Sequence, residues 1–157
     1  MALGTVAGTV LIYSVKEGDL VTVLSKPTTQ RINAVMWSED AEIMWAGGQD
    51  GTVAAFSISK LGLDFSFSAG TDPVFSLPVL PESQLASASR SIKIWKIDKR
   101  NTPELQQTFT GHATEVKCLQ IFRVASASVL VFCLASYGKS SGQKYSVKRG
   151  VGLAVGQ

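Results

Sequence analysis

Leu85-Ala86-Ser87-Ala88-Ser89-Arg90-Ser91-Ile92-Lys93-Ile94-Trp95-Lys96-Ile97 is the stretch on which the fold turns. Leu85, Ser87 and Ser89 alternate with Ala86 and Ala88. Beyond Arg90 and Ser91, Ile92, Ile94 and Lys96 alternate with Lys93, Trp95 and Ile97. A period of two with β-branched and aromatic residues predicts a strand on each side of a tight turn. The small residues of the first arm suit a strand with bulky neighbours pressing on both faces. Taken alone, this hairpin fits any antiparallel sheet.

The rest of the chain repeats it. The second arm has counterparts in Val10-Leu11-Ile12-Tyr13 and Val53-Ala54-Ala55-Phe56, so Tyr13, Phe56 and Trp95 recur at intervals of 43 and 39 residues. A segment ahead of the hairpin recurs as Ile32 to Trp37, Val74 to Val79 and Val116 to Ile121, with Ile32, Val74 and Val116 spaced by 42 and 42. A further strand follows the aromatic near Leu20, Leu63 and Leu105, at 43 and 42. Four short strands repeating every ~40–45 residues are the signature of a WD-repeat propeller blade.

In chain order, the first blade lacks its first strand. Ala2 to Thr5 reads as an inner strand, Thr9 to Val15 as the next and Leu20 to Leu24 as the outer one. The second blade is complete: Arg31 to Trp37, Glu42 to Gly47, Val53 to Ile58 and Leu63 to Phe67, with a polar turn at Ser38-Glu39-Asp40-Ala41. Its hairpin is Gln49-Asp50-Gly51-Thr52, in which Gly51 suits a positive φ and Asp50 suits capping of turn amides. The third blade runs from Val74 through Phe109; Pro78 would remove a ladder hydrogen bond, which predicts a bulge or an early strand end. Gly111-His112 opens a fourth blade, with Val116 to Phe122 as its first strand, and the pattern then stops. The reading is an all-β chain. Residues 1–122 form a partial propeller of about two full four-stranded blades and parts of two more. Residues 123–157 form a basic, flexible, non-propeller tail with one strand-like run, Val129 to Leu134.

Composition agrees with a globular chain: 45% hydrophobic and 17% charged residues. No apolar run approaches the ~18 residues of a membrane span, and the start lacks a basic n-region. The formal charge of +3 divides unevenly: residues 1–122 hold 10 Lys and Arg against 12 Asp and Glu, while residues 123–157 hold five Lys and Arg and no acid. The alkaline pI therefore comes from the tail, whose dispersed charges make a poor nucleic-acid face. Cys118 and Cys133 are the only cysteines, each expected as a buried, reduced thiol.

Phe109 to Val116, Ala86 to Trp95 and Ala2 to Ser14 resemble the WD-repeat family and, within it, the U-three-associated propeller scaffolds of the small-subunit processome. The resemblance covers residues 2–122. It implies a scaffold with no catalytic, cofactor or metal site. The implied partners are other processome proteins and, within the complex, pre-ribosomal RNA whose transcription and processing the complex supports. It implies a nuclear, nucleolar location, no membrane and no small-molecule substrate. The family's blades carry a buried network of a Gly-His histidine, a strand Ser or Thr, a Trp and a turn Asp. Here Gly111 and His112 match the Gly-His pair, Trp95 the Trp, and Asp50 with Gly51 the turn. Lys96 follows Trp95 where the family has Asp, and Phe56 replaces Trp in the blade of Asp50, so these residues are expected to be structural. His112 is the only histidine, which leaves a nucleophile–histidine site without evident partners. Two alternatives stand beside the processome scaffold: a generic WD-repeat adaptor, such as a ubiquitin-ligase substrate receptor, and a truncated product without independent function.

Overall fold

A computed structural model describes residues 1–25, 30–81, 83–98, 102–112, 114–124, 128–135 and 153–154. The described chain forms four antiparallel sheets in sequence order. Blade one is β1 (Ala2–Gly4), β2 (Thr9–Tyr13) and β3 (Leu20–Ser25), in that spatial order. Blade two is β4 (Ile32–Trp37), β5 (Ile43–Gly48), β6 (Thr52–Ser57) and β7 (Gly62–Ser68), again in order. Blade three is β8 (Val79–Leu80), β9 (Gln84–Ala88), β10 (Ile92–Ile97) and β11 (Pro103–Phe109). The fourth sheet is β12 (Val116–Val124), β13 (Ser128–Ala135) and β14 (Leu153–Ala154). No helix of the described residues is long and apolar enough to cross a membrane.

The core is three apolar layers, one between each pair of successive sheets. Val10, Ile12 and Leu24 of blade one meet Met44, Ala46, Ala54 and Phe56 of blade two. On the opposite face of blade two, Trp45, Val53 and Ala55 meet Leu77, Leu85 and Trp95 of blade three. Ala86, Ala88, Ile92 and Ile94 then meet Val116 and Leu119 of β12. The middle strands β5, β6 and β9 are therefore buried on both faces, which is why they are built from Ala, Gly, Ser and Val between larger residues.

The 42-residue spacing has a main-chain cause. Ile32 N donates to Thr5 O (2.9 Å), Val74 N to Gly48 O (3.0 Å) and Val116 N to Ser89 O (2.7 Å). Each donor thus opens the inner segment of one blade and bonds the last residue of a strand of the blade before it, or the residue just after that strand, with its side chain in the layer between them. The approach is close. A Cβ on Gly47 would fall 2.7 Å from Val74 Cγ1, and one on Gly4 would fall 2.5 Å from Ile32 Cγ2. A second repeat lies at the outer strands. The register of β2–β3, β6–β7 and β10–β11 shifts at Ile12/Tyr13, Ala55/Phe56 and Ile94/Trp95. Each shift is a bulge beside the aromatic, and it re-aims the outer strand at the same level in every blade.

Pro78 has the expected effect. The inner strand of blade three is broken into an isolated Ser76–Ala88 bridge and the two-residue β8, while Pro78 still accepts a bond from Ala86 N (3.0 Å) through its carbonyl. Cys118 corrects an expectation: it is exposed and reduced, not buried. A register shift between Val116 and Cys118 changes the phase of β12, so that Val116 and Leu119 point into the core and Cys118 points away. β12 runs past residue 122 and pairs with β13, from Val124 opposite Ser128 to Val116 opposite Ala135. The run 129–134 is thus a strand added to the sheet that Val116 opens. The side chain of Cys133 and the greater part of the expected flexible tail lie outside the described residues.

Candidate functional site

The side chains singled out by the sequence belong to separate joints of the blade array. Trp95 sits in the layer between blades two and three, with 8% of its surface exposed. Phe67 of blade two meets it edge-on at 5.0 Å between centroids, and Phe65 and Trp45 extend the row. Trp95 Nε1 donates to Ser87 Oγ at 2.9 Å inside this layer. The register sets the pair: Trp95 lies opposite Leu85 and Lys93 opposite Ser87, so Ser87 is the diagonal neighbour of Trp95 on one face. A buried indole N–H without an acceptor would cost about 1–3 kcal/mol, which gives Ser87 a definite role. Lys93, on the same face, holds its ammonium 5.9 Å from the Trp95 ring and donates to Ala69 O.

Asp50 and Gly51 form the hairpin of blade two. Asp50 Oδ1 accepts from Thr52 N (3.0 Å), and Gly51 has φ +76°. Gly51 also faces the segment that leads to blade three: an added Cβ would fall 2.0 Å from Gly70 O. Gly111 has φ +101° and His112, half-buried, follows it in the segment leading to β12. His112 Nδ1 is buried and meets no hydrogen-bond partner among the described residues. Asp50, Trp95 and His112 thus serve a hairpin, an inter-blade layer and a linker respectively. Among the described residues no group of three or more His, Cys, Asp or Glu side chains is placed to hold a metal.

Sequence reading did not single out Ser87 or Lys93. Ser87 was legible in principle, since pairing the two arms of the hairpin around Arg90 brings it diagonal to Trp95. Lys93 was not, because its acceptor is a main-chain carbonyl 24 residues away.

The chain is 31% identical over 121 residues to WD repeat-containing protein 43 of Homo sapiens. The match takes in 76% of this chain and accords with the repeated blades and their inter-blade joints. The likeness and the antiparallel four-stranded sheets together fit a partial WD-repeat fragment. The chain covers 17% of the length of that human relative. No protein-family model matches it.

Proposed function

We propose that this partial WD-repeat propeller is a non-enzymatic scaffold segment that binds other proteins in assembly of the small-subunit processome, in the nucleolus. The observation that carries this reading is the 121-residue likeness to the human WD-repeat protein. The blade architecture supports it chemically. The polar pair of the layer between blades two and three, Trp95 and Ser87, is used internally, and loops and strand residues such as Leu3, Met36, Leu63 and Leu105 remain exposed for partners. Such surfaces suit docking of other proteins. Pre-ribosomal RNA would then be reached within the complex rather than gripped by a basic face, since residues 1–122 carry more acid than base.

The test is a pulldown of the tagged full chain from nuclear extract, beside its full-length human relative, read by mass spectrometry. Recovery of processome proteins, together with nucleolar location of the tagged chain, is the expected result. Recovery of ubiquitin-ligase subunits would move the reading to a generic adaptor. Recovery of no shared partner would leave the chain a truncated product.

A further inference from the structure

The linker between blades two and three, residues 69–73, is held from both sides. On the blade-two side, Ala69 N donates to Gly51 O (2.9 Å) and the joint residue Val74 donates to Gly48 O (3.0 Å). Gly51 is in contact with the linker backbone, where only a hydrogen fits. On the blade-three side, Lys93 Nζ donates to Ala69 O, and Arg90 Nε lies 3.5 Å from Asp72 Oδ1. Arg90 and Asp72 are largely solvated, so this ion pair is the weaker hold. Lys93 is half-buried, and its ammonium lies over the Trp95 ring, 5.9 Å from the centroid.

The internal repeat gives this lysine a meaning. Val74 and Val116 are equivalent joint residues, 42 apart, so Gly70 stands where the next linker has His112. In the next linker a side chain at that position turns a buried nitrogen inward. At residue 70 no side chain can do so without strain, because φ is +155°, in a region that only glycine adopts readily. The place beside the bare backbone is taken instead by Lys93 Nζ, 3.2 Å from where a Cβ of Gly70 would lie.

We propose that Lys93 is a strap that replaces, from the blade, the polar side chain missing from the linker. Its ammonium, held over the Trp95 ring, locks residues 69–73 onto blade three and so fixes the joint between blades two and three. A cation is suited to this task because a charged donor binds a carbonyl more strongly than a neutral one. The four-carbon stem supplies the reach across the layer.

The test is amide hydrogen exchange on the full chain. Lys93→Met keeps the length and apolar body of the side chain and removes the donor. It should speed exchange at the Ala69 and Val74 amides by on the order of ten-fold, while the Ile32 amide, in the joint between blades one and two, stays protected. Lys93→Arg, which keeps a cationic donor, should retain part of the protection. In the unsubstituted chain, nitrogen-detected NMR should find the Lys93 ammonium protons slower to exchange than those of the exposed Lys16. Unchanged exchange at Ala69 and Val74 in the Met variant would overturn the proposal. So would equal acceleration at Ile32, which marks a general loss of stability, or a Lys93 ammonium that exchanges as fast as that of Lys16.

Discussion

Trp95 joins two kinds of interaction that mutation can separate. Its ring fills the layer against Phe67, and its N–H satisfies Ser87. Truncation to alanine should cost about 3–5 kcal/mol, the range for a large buried aromatic. Lys96 follows it on the opposite side of the strand and is itself exposed. Trp95→Ala should therefore lower soluble yield and melting temperature sharply while Lys96→Ala leaves both near the parent values. Equal losses in the two variants would contradict the layer. Asp40 gives a prediction in pH. Ser38 Oγ donates to its carboxylate, and Glu42 N donates to it at 3.0 Å. These bonds hold its pKa below the ordinary value of 3.8, Ser38 having the larger effect. The folded carboxyl is thus the stronger acid. Its contribution to stability is fully present above the ordinary value and is lost as pH falls through the lower, folded one. The Glu42 amide resonance should titrate with a midpoint below 3.8 and lose that titration in Asp40→Asn.

At the scale of the strand, the joint between blades depends on the absence of side chain at one position and its presence at another. Gly47→Ala would place a methyl against Val74 and Leu77, where the gaps for a Cβ are 2.7 and 3.0 Å. Overpacking of this kind costs about 1–3 kcal/mol. Val74→Ala should by itself destabilise by leaving a void, yet in the double variant it should relieve part of the clash. A denaturant series on the four chains is expected to show a double-variant loss smaller than the sum of the single ones; strict additivity would argue that the two residues do not touch. The joint also shows what the sequence could and could not reveal. Strands were legible because alternation and recurring aromatics are side-chain patterns. The spacing of Ile32, Val74 and Val116 was visible, but its cause was not, since the bonds run from their amides to main-chain carbonyls. The recurring bulges beside Tyr13, Phe56 and Trp95 were invisible for the same reason. Cys118 was misread because a register shift reverses the phase of β12 at one residue, which simple alternation cannot anticipate. Pro78 was read correctly because a missing N–H is a property of the residue itself.

For the whole molecule, the same packing rule that builds three inner layers leaves a sheet face over. Alternation along blade one turns Val10, Ile12 and Leu24 into the first layer and Leu3, Leu11, Tyr13 and Val23 away from it. Leu3 and Val23 are 45% and 48% exposed, and β1, β2 and β3 hold no charged residue. The outer strands of the other blades are guarded against edge pairing, β7 by Asp64 and β11 by Pro103 and Glu104, whereas β3 reads Leu-Val-Thr-Val-Leu-Ser. An apolar face joined to an unguarded edge is an aggregation hazard that closure of a propeller normally removes. The isolated chain should therefore self-associate as its concentration rises, in a manner that salt does not suppress because no charge pair drives it. Val23→Lys places a charge on both the face and the edge while leaving the inner layer intact, and should shift light-scattering profiles towards monomer without lowering the melting temperature. A parent chain that is monodisperse, with a single cooperative melt across the same concentrations, would mean that this face is covered by some other part of the molecule.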